Sequence, residues 1–148
     1  MRGAPWTLPS MVDRAILAAK IAAVRDAVAR IRDVLPPTPD ALRADRTLRE
    51  VVILNLFVAL QECLSLAAHW LSDAGLDVPQ SYAQVFLRLG ERDVVAPELA
   101  GRLAAASGLR NLVAHRYGAL EWNRIHEIAS SELDDLLAFC EALARRTG

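Results

Sequence analysis

An all-α bundle is what this sequence predicts, and three observations predict it. The 148 residues are 53% apolar but only 5% aromatic, and alanine and leucine, strong helix formers, carry most of the apolar content. Apolar residues recur in steps of three and four, the period of one helix face. No stretch alternates apolar and polar residues as a half-buried strand would. The length suits one domain over 1–148 with a single core. The expected architecture is an antiparallel helical bundle of four long helices plus one short helix.

Each element has its own signals. Leu17, Ile21, Val24, Val28, Ile31 and Leu35 draw one stripe on a first helix over about 10–34. Pro36, Pro37 and Pro39 stop it, because proline removes a donor and disfavours helix in the residue before it, and a turn follows. A second helix begins near Asp45 or Thr47, with Thr47 and Glu50 at capping-box spacing, and runs to Gly75. It is apolar on most sides, but Asn55, Glu62 and His69 recur every seven residues and leave a polar line. A short helix over about 81–89 follows Pro79 and ends at Gly90, read as a glycine C-cap. The fourth long segment opens at Pro97 and runs through the Arg110 to Tyr117 region, before Gly118. The last helix, about 123–145, turns Ile125, Ala129, Leu136, Cys140 and Leu143 inward and carries arginines in its final turn.

Charge narrows the function classes. Seventeen basic residues against 18 acidic ones give a net charge of −1, so there is no global attraction to polyanions, and any nucleic-acid contact is local. Lys20 is the single lysine, which leaves phosphate recognition to guanidinium groups. Six arginines between Arg88 and Arg124 outnumber the acids Glu91, Asp93, Glu98 and Glu121 in that stretch, and predict modest positive potential there. Cys63 and Cys140 fall in apolar helical patterns, as buried thiols of a reducing, cytoplasmic compartment do. Their spacing to the histidines matches no metal site, so no metal and no cofactor is expected. The apolar run 51–60 is interrupted by Asn55 and followed by Gln61 and Glu62, well short of the roughly 20 residues of a bilayer span. It reads as a buried helix, and neither a membrane partner nor a signal peptide is expected.

The segment Arg110, Asn111, Leu112, Val113, Ala114, His115, Arg116, Tyr117 brings arginine, histidine and tyrosine within two helical turns. Each has an ordinary reading alone. Arg110 can neutralise a buried carboxylate such as Glu62, His115 can be an interface or surface histidine, and Tyr117 can pack at a helix end. His126 reads as structural, and the Asn55, Glu62, His69 line as a satisfied polar seam.

With this motif stand Ala59, Leu60, Gln61, Glu62, the 79–89 segment with Tyr82 and Phe86, and Leu109 leading into Arg110 and Asn111. Together they resemble the HEPN superfamily, and within it the HepT-like toxins paired with MNT-type minimal nucleotidyltransferase antitoxins. The likeness covers most of the chain. One departure is Glu121, where many relatives carry aspartate. The resemblance implies metal-independent RNA cleavage in a type VII-like toxin-antitoxin system, with Arg110 and His115 as the catalytic pair and Asn111 and Glu62 in support. It also implies that the partner nucleotidyltransferase adenylylates Tyr117.

Those residue types suit the chemistry. The RNA 2′-hydroxyl attacks its neighbouring phosphate if one group removes its proton, another protonates the leaving oxygen, and a cation steadies the crowded phosphorane. Histidine transfers protons at neutral pH, and the arginine fork matches phosphoryl oxygens. Five residues along a helix rotate by about 140°, so Arg110 and His115 diverge on one helix. Either the helix unwinds near His115, or a homodimer builds a composite cleft in which two histidines act as acid and base. A non-enzymatic substrate-binding subunit of a small nucleotidyltransferase shares the bundle architecture and is the alternative, as is a dimeric scaffold without catalysis.

Overall fold

A computed structural model describes residues 11–146; the side chains of residues 11–13, 115 and 119 lie outside that description. Among the described residues there are seven α-helices, one 3-10 turn and no strand. They are α1 (Met11–Val34), α2 (Pro39–Ala44), α3 (Arg46–Asp73), α4 (Tyr82–Glu91), α5 (Pro97–His115), the 3-10 turn Tyr117–Ala119, α6 (Trp122–Ser131) and α7 (Leu133–Arg145).

The predicted stripe on α1 is the buried one. Leu17, Ile21, Val24, Val28 and Ile31 all face the core, and α1 lies along α3. Helix α3 is central and touches every other α-helix, which accounts for apolar residues around most of its circumference. By length and composition alone it would pass as a membrane span; here half of its apolar window is buried in the bundle, while Leu54 stays exposed. Helix α4 lies along α5 and is tied to α7 by Phe86 and Phe139, whose rings meet edge to face at 5.5 Å.

Four local expectations are corrected. The expected turn after Pro36 contains α2, started by Pro39 at its first position and by Thr38 Oγ1, which accepts from Ala41 N at 3.1 Å. Asp45, not Thr47, caps α3, its carboxylate accepting from Leu48 N at 3.1 Å. Gly90 is not a C-cap: it lies inside α4, where a Cβ would come within 2.7 Å of the Ala100 Cβ, so the residue is glycine to let α4 and α5 approach. The left-handed residue that ends this region is Asp93, with φ 56°.

The fourth correction is the long last helix, which breaks at Glu132 into α6 and α7. Ser130 Oγ donates to His126 O at 2.7 Å and Ser131 Oγ to Glu127 O at 2.8 Å. Such back-bonding competes with the backbone ladder and bends helices. The residues predicted inward on this stretch are all buried regardless.

The two thiols are buried and adjacent across α3 and α7. The hydrogen bond between them and burial push Cys63 well above the usual thiol range, whereas the same bond holds Cys140 below it. His126 is structural, as expected: it is buried, and its Nε2 meets the Pro36 carbonyl oxygen at 2.8 Å, anchoring α6 to the proline turn.

Candidate functional site

Helix α5 carries two chemically different lines. Leu99, Leu103 and Ala106 are buried and Val113 half-buried, continuing to the half-buried Arg110; Gly108 and Asn111 lie on the exposed side with the half-buried Ala104. A 3.6-residue period produces this division. The exposed line borders an open groove of about 500 Å³, with Gln80, Ser81 and Tyr82 of the α4 start on one side and Ala104, Gly108 and Asn111 on the other.

Arg110 stands where three helices converge. Its Nε donates to Gln61 Oε1 of α3 at 2.7 Å, and its Nη1 to Asn111 Oδ1 at 3.4 Å. The guanidinium carbon lies 4.9 Å from the centre of the Tyr82 ring and 5.4 Å from that of Phe57, both within cation–π range. Among the described residues no carboxylate pairs with it. Glu62, the expected support, is not its partner: Glu62 Oε2 binds Lys20 Nζ at 3.1 Å, joining α3 to α1. One residue along a helix turns the side chain by about 100°, so Gln61 and Glu62 serve different neighbours. Asn111 does contact Arg110, as a neighbour on the same helix.

The helix does not unwind to unite the motif. Helical backbone runs unbroken from Arg110 to His115, Arg116 N still donates to Leu112 O at 2.8 Å, and the chain leaves helical geometry only at Arg116, with φ −142° and ψ 49°. Within one copy, therefore, the backbone positions of Arg110 and His115 are about 140° apart around the α5 axis. His115 is the last residue of α5; the direction of its side chain is outside the described side chains.

Tyr117 falls in the 3-10 turn, so the helical period does not carry it onto the Arg110 stripe. It is 46% exposed, enough to leave its ring open to a second protein. Its ring meets Trp122 edge-on at 6.4 Å, and Arg49 stands over the same Trp122 at 5.8 Å. Arg46, whose pKa is raised by its bond to Glu50, also feels Tyr117 electrostatically. Glu121 precedes α6, exposed and without a side-chain capping bond.

The arginine surplus of this half shrinks once pairs are drawn. Arg88 pairs with Glu91, Arg102 with Asp135, and Arg124 with Glu127 and Glu132. Arg92, Arg110 and Arg116 make no ion pair among the described residues. The polar line on α3 finds partners, as a satisfied seam would: Asn55 Nδ2 donates to Val51 O at 2.8 Å, and Glu62 pairs with Lys20 of α1 at 3.1 Å. Among the described residues no group of three or more histidine, cysteine or acidic side chains is placed to hold a metal.

What sequence reasoning missed is the rest of the arginine's cradle. The sequence assigns no role to Gln61, Tyr82 or Phe57. The available signal was the spacing of Phe57 and Gln61, one turn apart on a single face of α3.

Comparison with known proteins agrees with this architecture. The mRNA nuclease HepT of Shewanella oneidensis is 28% identical over 128 residues, 86% of this chain and 96% of that protein. The tRNA nuclease HepT of Aphanizomenon flos-aquae is 31% identical over 65 residues, 44% of each chain. Among solved structures, a toxin–antitoxin crystal structure with AMP-PNP superposes with a TM-score of 0.82 at 27% identity, over 88% of this chain and 98% of that one. The tri-AMPylated Shewanella oneidensis HEPN toxin, in complex with its MNT antitoxin, gives 0.80 at 28% identity, over 88% and 97%. The profile of the family described as Ribonuclease HepT-like matches residues 24–143. The chain belongs to the HepT-like ribonuclease family.

Proposed function

We propose that this protein is a metal-independent endoribonuclease, the cytoplasmic toxin of a HEPN/MNT toxin-antitoxin pair, cutting RNA by attack of the substrate's own 2′-hydroxyl. The observation that carries the reading is the state of Arg110: a guanidinium held at the protein surface by neutral groups, with no carboxylate spending its charge. In this role Arg110 binds the phosphoryl oxygens and stabilises the phosphorane. His115, five residues on, moves protons. Because α5 stays helical across the motif, the complete site is built between two copies, each giving an arginine and a histidine to a shared cleft. The products are a 2′,3′-cyclic phosphate and a free 5′-hydroxyl.

The partner in this reading is an MNT-type nucleotidyltransferase that adenylylates the exposed Tyr117 hydroxyl and so silences the nuclease. Named nucleases and a tri-AMPylated toxin among the relatives support it.

The test incubates the purified protein with RNA in a chelator. Cleavage with cyclic-phosphate ends, lost in both Arg110→Ala and His115→Ala, is the expected result. Equal cleavage by the two variants would expose a contaminating nuclease and end the proposal. Mass spectrometry after coexpression with the neighbouring nucleotidyltransferase should find adenylate mass on the Tyr117 peptide; a stable, unmodified, inactive complex would instead support a non-enzymatic binding subunit.

A further inference from the structure

The hold on Arg110 is chemically selective. Arg102 on the same helix is fixed by a carboxylate, that of Asp135. Arg110 is fixed instead by an amide oxygen at 2.7 Å and by two aromatic rings. None of these groups carries a negative charge. The acceptor engages Nε, at the inner edge of the fork, and Nη1 has only the longer 3.4 Å contact to Asn111. Nη2 has no hydrogen bond among the described residues, so its N–H groups are left for phosphoryl oxygens.

We propose that Gln61 is a positioning residue for RNA cleavage: it anchors Arg110 through Nε while leaving the guanidinium charge intact for the scissile phosphate. The inference rests on the ribonuclease reading above. The construction is local to α3, where Phe57 and Gln61 stand one turn apart and deliver a ring and an acceptor to the same cation. Tyr82, the first residue of α4, supplies the second ring.

A carboxylate at position 61 would hold Arg110 as well or better, since hydrogen bonds between charged partners are the stronger kind. It would also cancel the charge that the phosphorane needs and compete with phosphate for the donors. The carboxylate nearest in sequence, Glu62, belongs to Lys20, which keeps it from serving as that competitor.

The deciding experiment compares Gln61→Glu, Gln61→Leu and Arg110→Ala, with kcat and KM measured separately on one defined RNA in chelator and thermal unfolding followed on each variant. The expected pattern is that Gln61→Glu keeps the wild-type Tm or exceeds it while kcat falls at least about tenfold. Gln61→Leu, which preserves bulk and loses the acceptor, should fall about three- to tenfold in kcat. A merely structural role predicts the opposite ranking, with the Glu variant benign because the bond survives.

Wild-type kcat in Gln61→Glu, with Arg110→Ala inactive, overturns the positioning role and leaves the ribonuclease reading standing. If Gln61→Glu fails to fold, wild-type kcat in a folded Gln61→Leu overturns it equally. Cleavage absent from the wild type, or undiminished in Arg110→Ala, overturns the ribonuclease reading itself and this inference with it.

Discussion

Two ends of one helix, α5, treat the same residue type in opposite ways. Near its start, Arg102 Nε lies 3.1 Å from both oxygens of Asp135 on α7, and Ala100 packs against Gly90 closely enough that a Cβ there would clash. Near its end, Arg110 meets an amide and two rings, and the flanking Gly108 has nothing within 4 Å of where its Cβ would be. The first arginine is neutralised by a carboxylate; the second, among the described residues, keeps its charge unpaired. Packing and charge pairing stabilise the bundle, and the groups excluded from both are those left for a ligand or partner.

The largest effect expected from this contrast is on catalysis. Arg110→Ala should lower RNA cleavage by about 10²- to 10³-fold, the scale of losing one charge-stabilising donor, with little change in Tm. Arg102→Ala should do the reverse. Its pair is 57% and 23% exposed at the two side chains, so the loss should appear as no more than a small drop in Tm, limited by solvent screening, with cleavage rates unmoved. Comparable losses of cleavage in both would erase the distinction.

Next in size is Gly90→Ala. The 2.7 Å approach to the Ala100 Cβ forces α4 and α5 apart, an overpacking cost of about 1–3 kcal/mol. That cost should appear as a Tm several degrees lower and should spread to the α4 groove wall that carries Tyr82.

The smallest effect has the opposite sign. Gly108→Ala adds a methyl group into open space on an exposed helix face and should raise monomer stability by about 0.5–1 kcal/mol. If a second copy packs against this face, the same substitution should weaken the dimer, as analytical ultracentrifugation would read. Neither a Tm gain nor a dimer change would mean that α5's open half is more constrained than its surroundings indicate.

How far the sequence could be read depended on the range of the interaction. Prolines at 36, 37 and 97 mark helix boundaries correctly because their effect is confined to neighbouring backbone, whereas Pro39, expected in a turn, begins α2. The break between α6 and α7 escaped notice because the stripe of Ile125, Ala129, Leu136 and Cys140 passes through it, while the serines that bend it act by side-chain bonds that periodicity does not register. Gly90 was misread for a related reason: a glycine near a helix end has the same signature whether it serves a left-handed turn or a close crossing, and only the position of Ala100 distinguishes them.

The sequence by itself determined most of the helices, the buried face of α1, the two lines of α5 and the structural histidine at 126. All of these follow from local stereochemistry and from a period that each helix carries alone. Only the tertiary structure decided which side chain meets which. It gave Glu62 to Lys20 and Gln61 to Arg110, set Phe57 and Tyr82 beside the same guanidinium, and left that cation without a carboxylate. The reason is rotational: one residue turns a side chain by about 100° on its helix, so partners depend on how α3, α4 and α5 are rotated against one another, which packing sets.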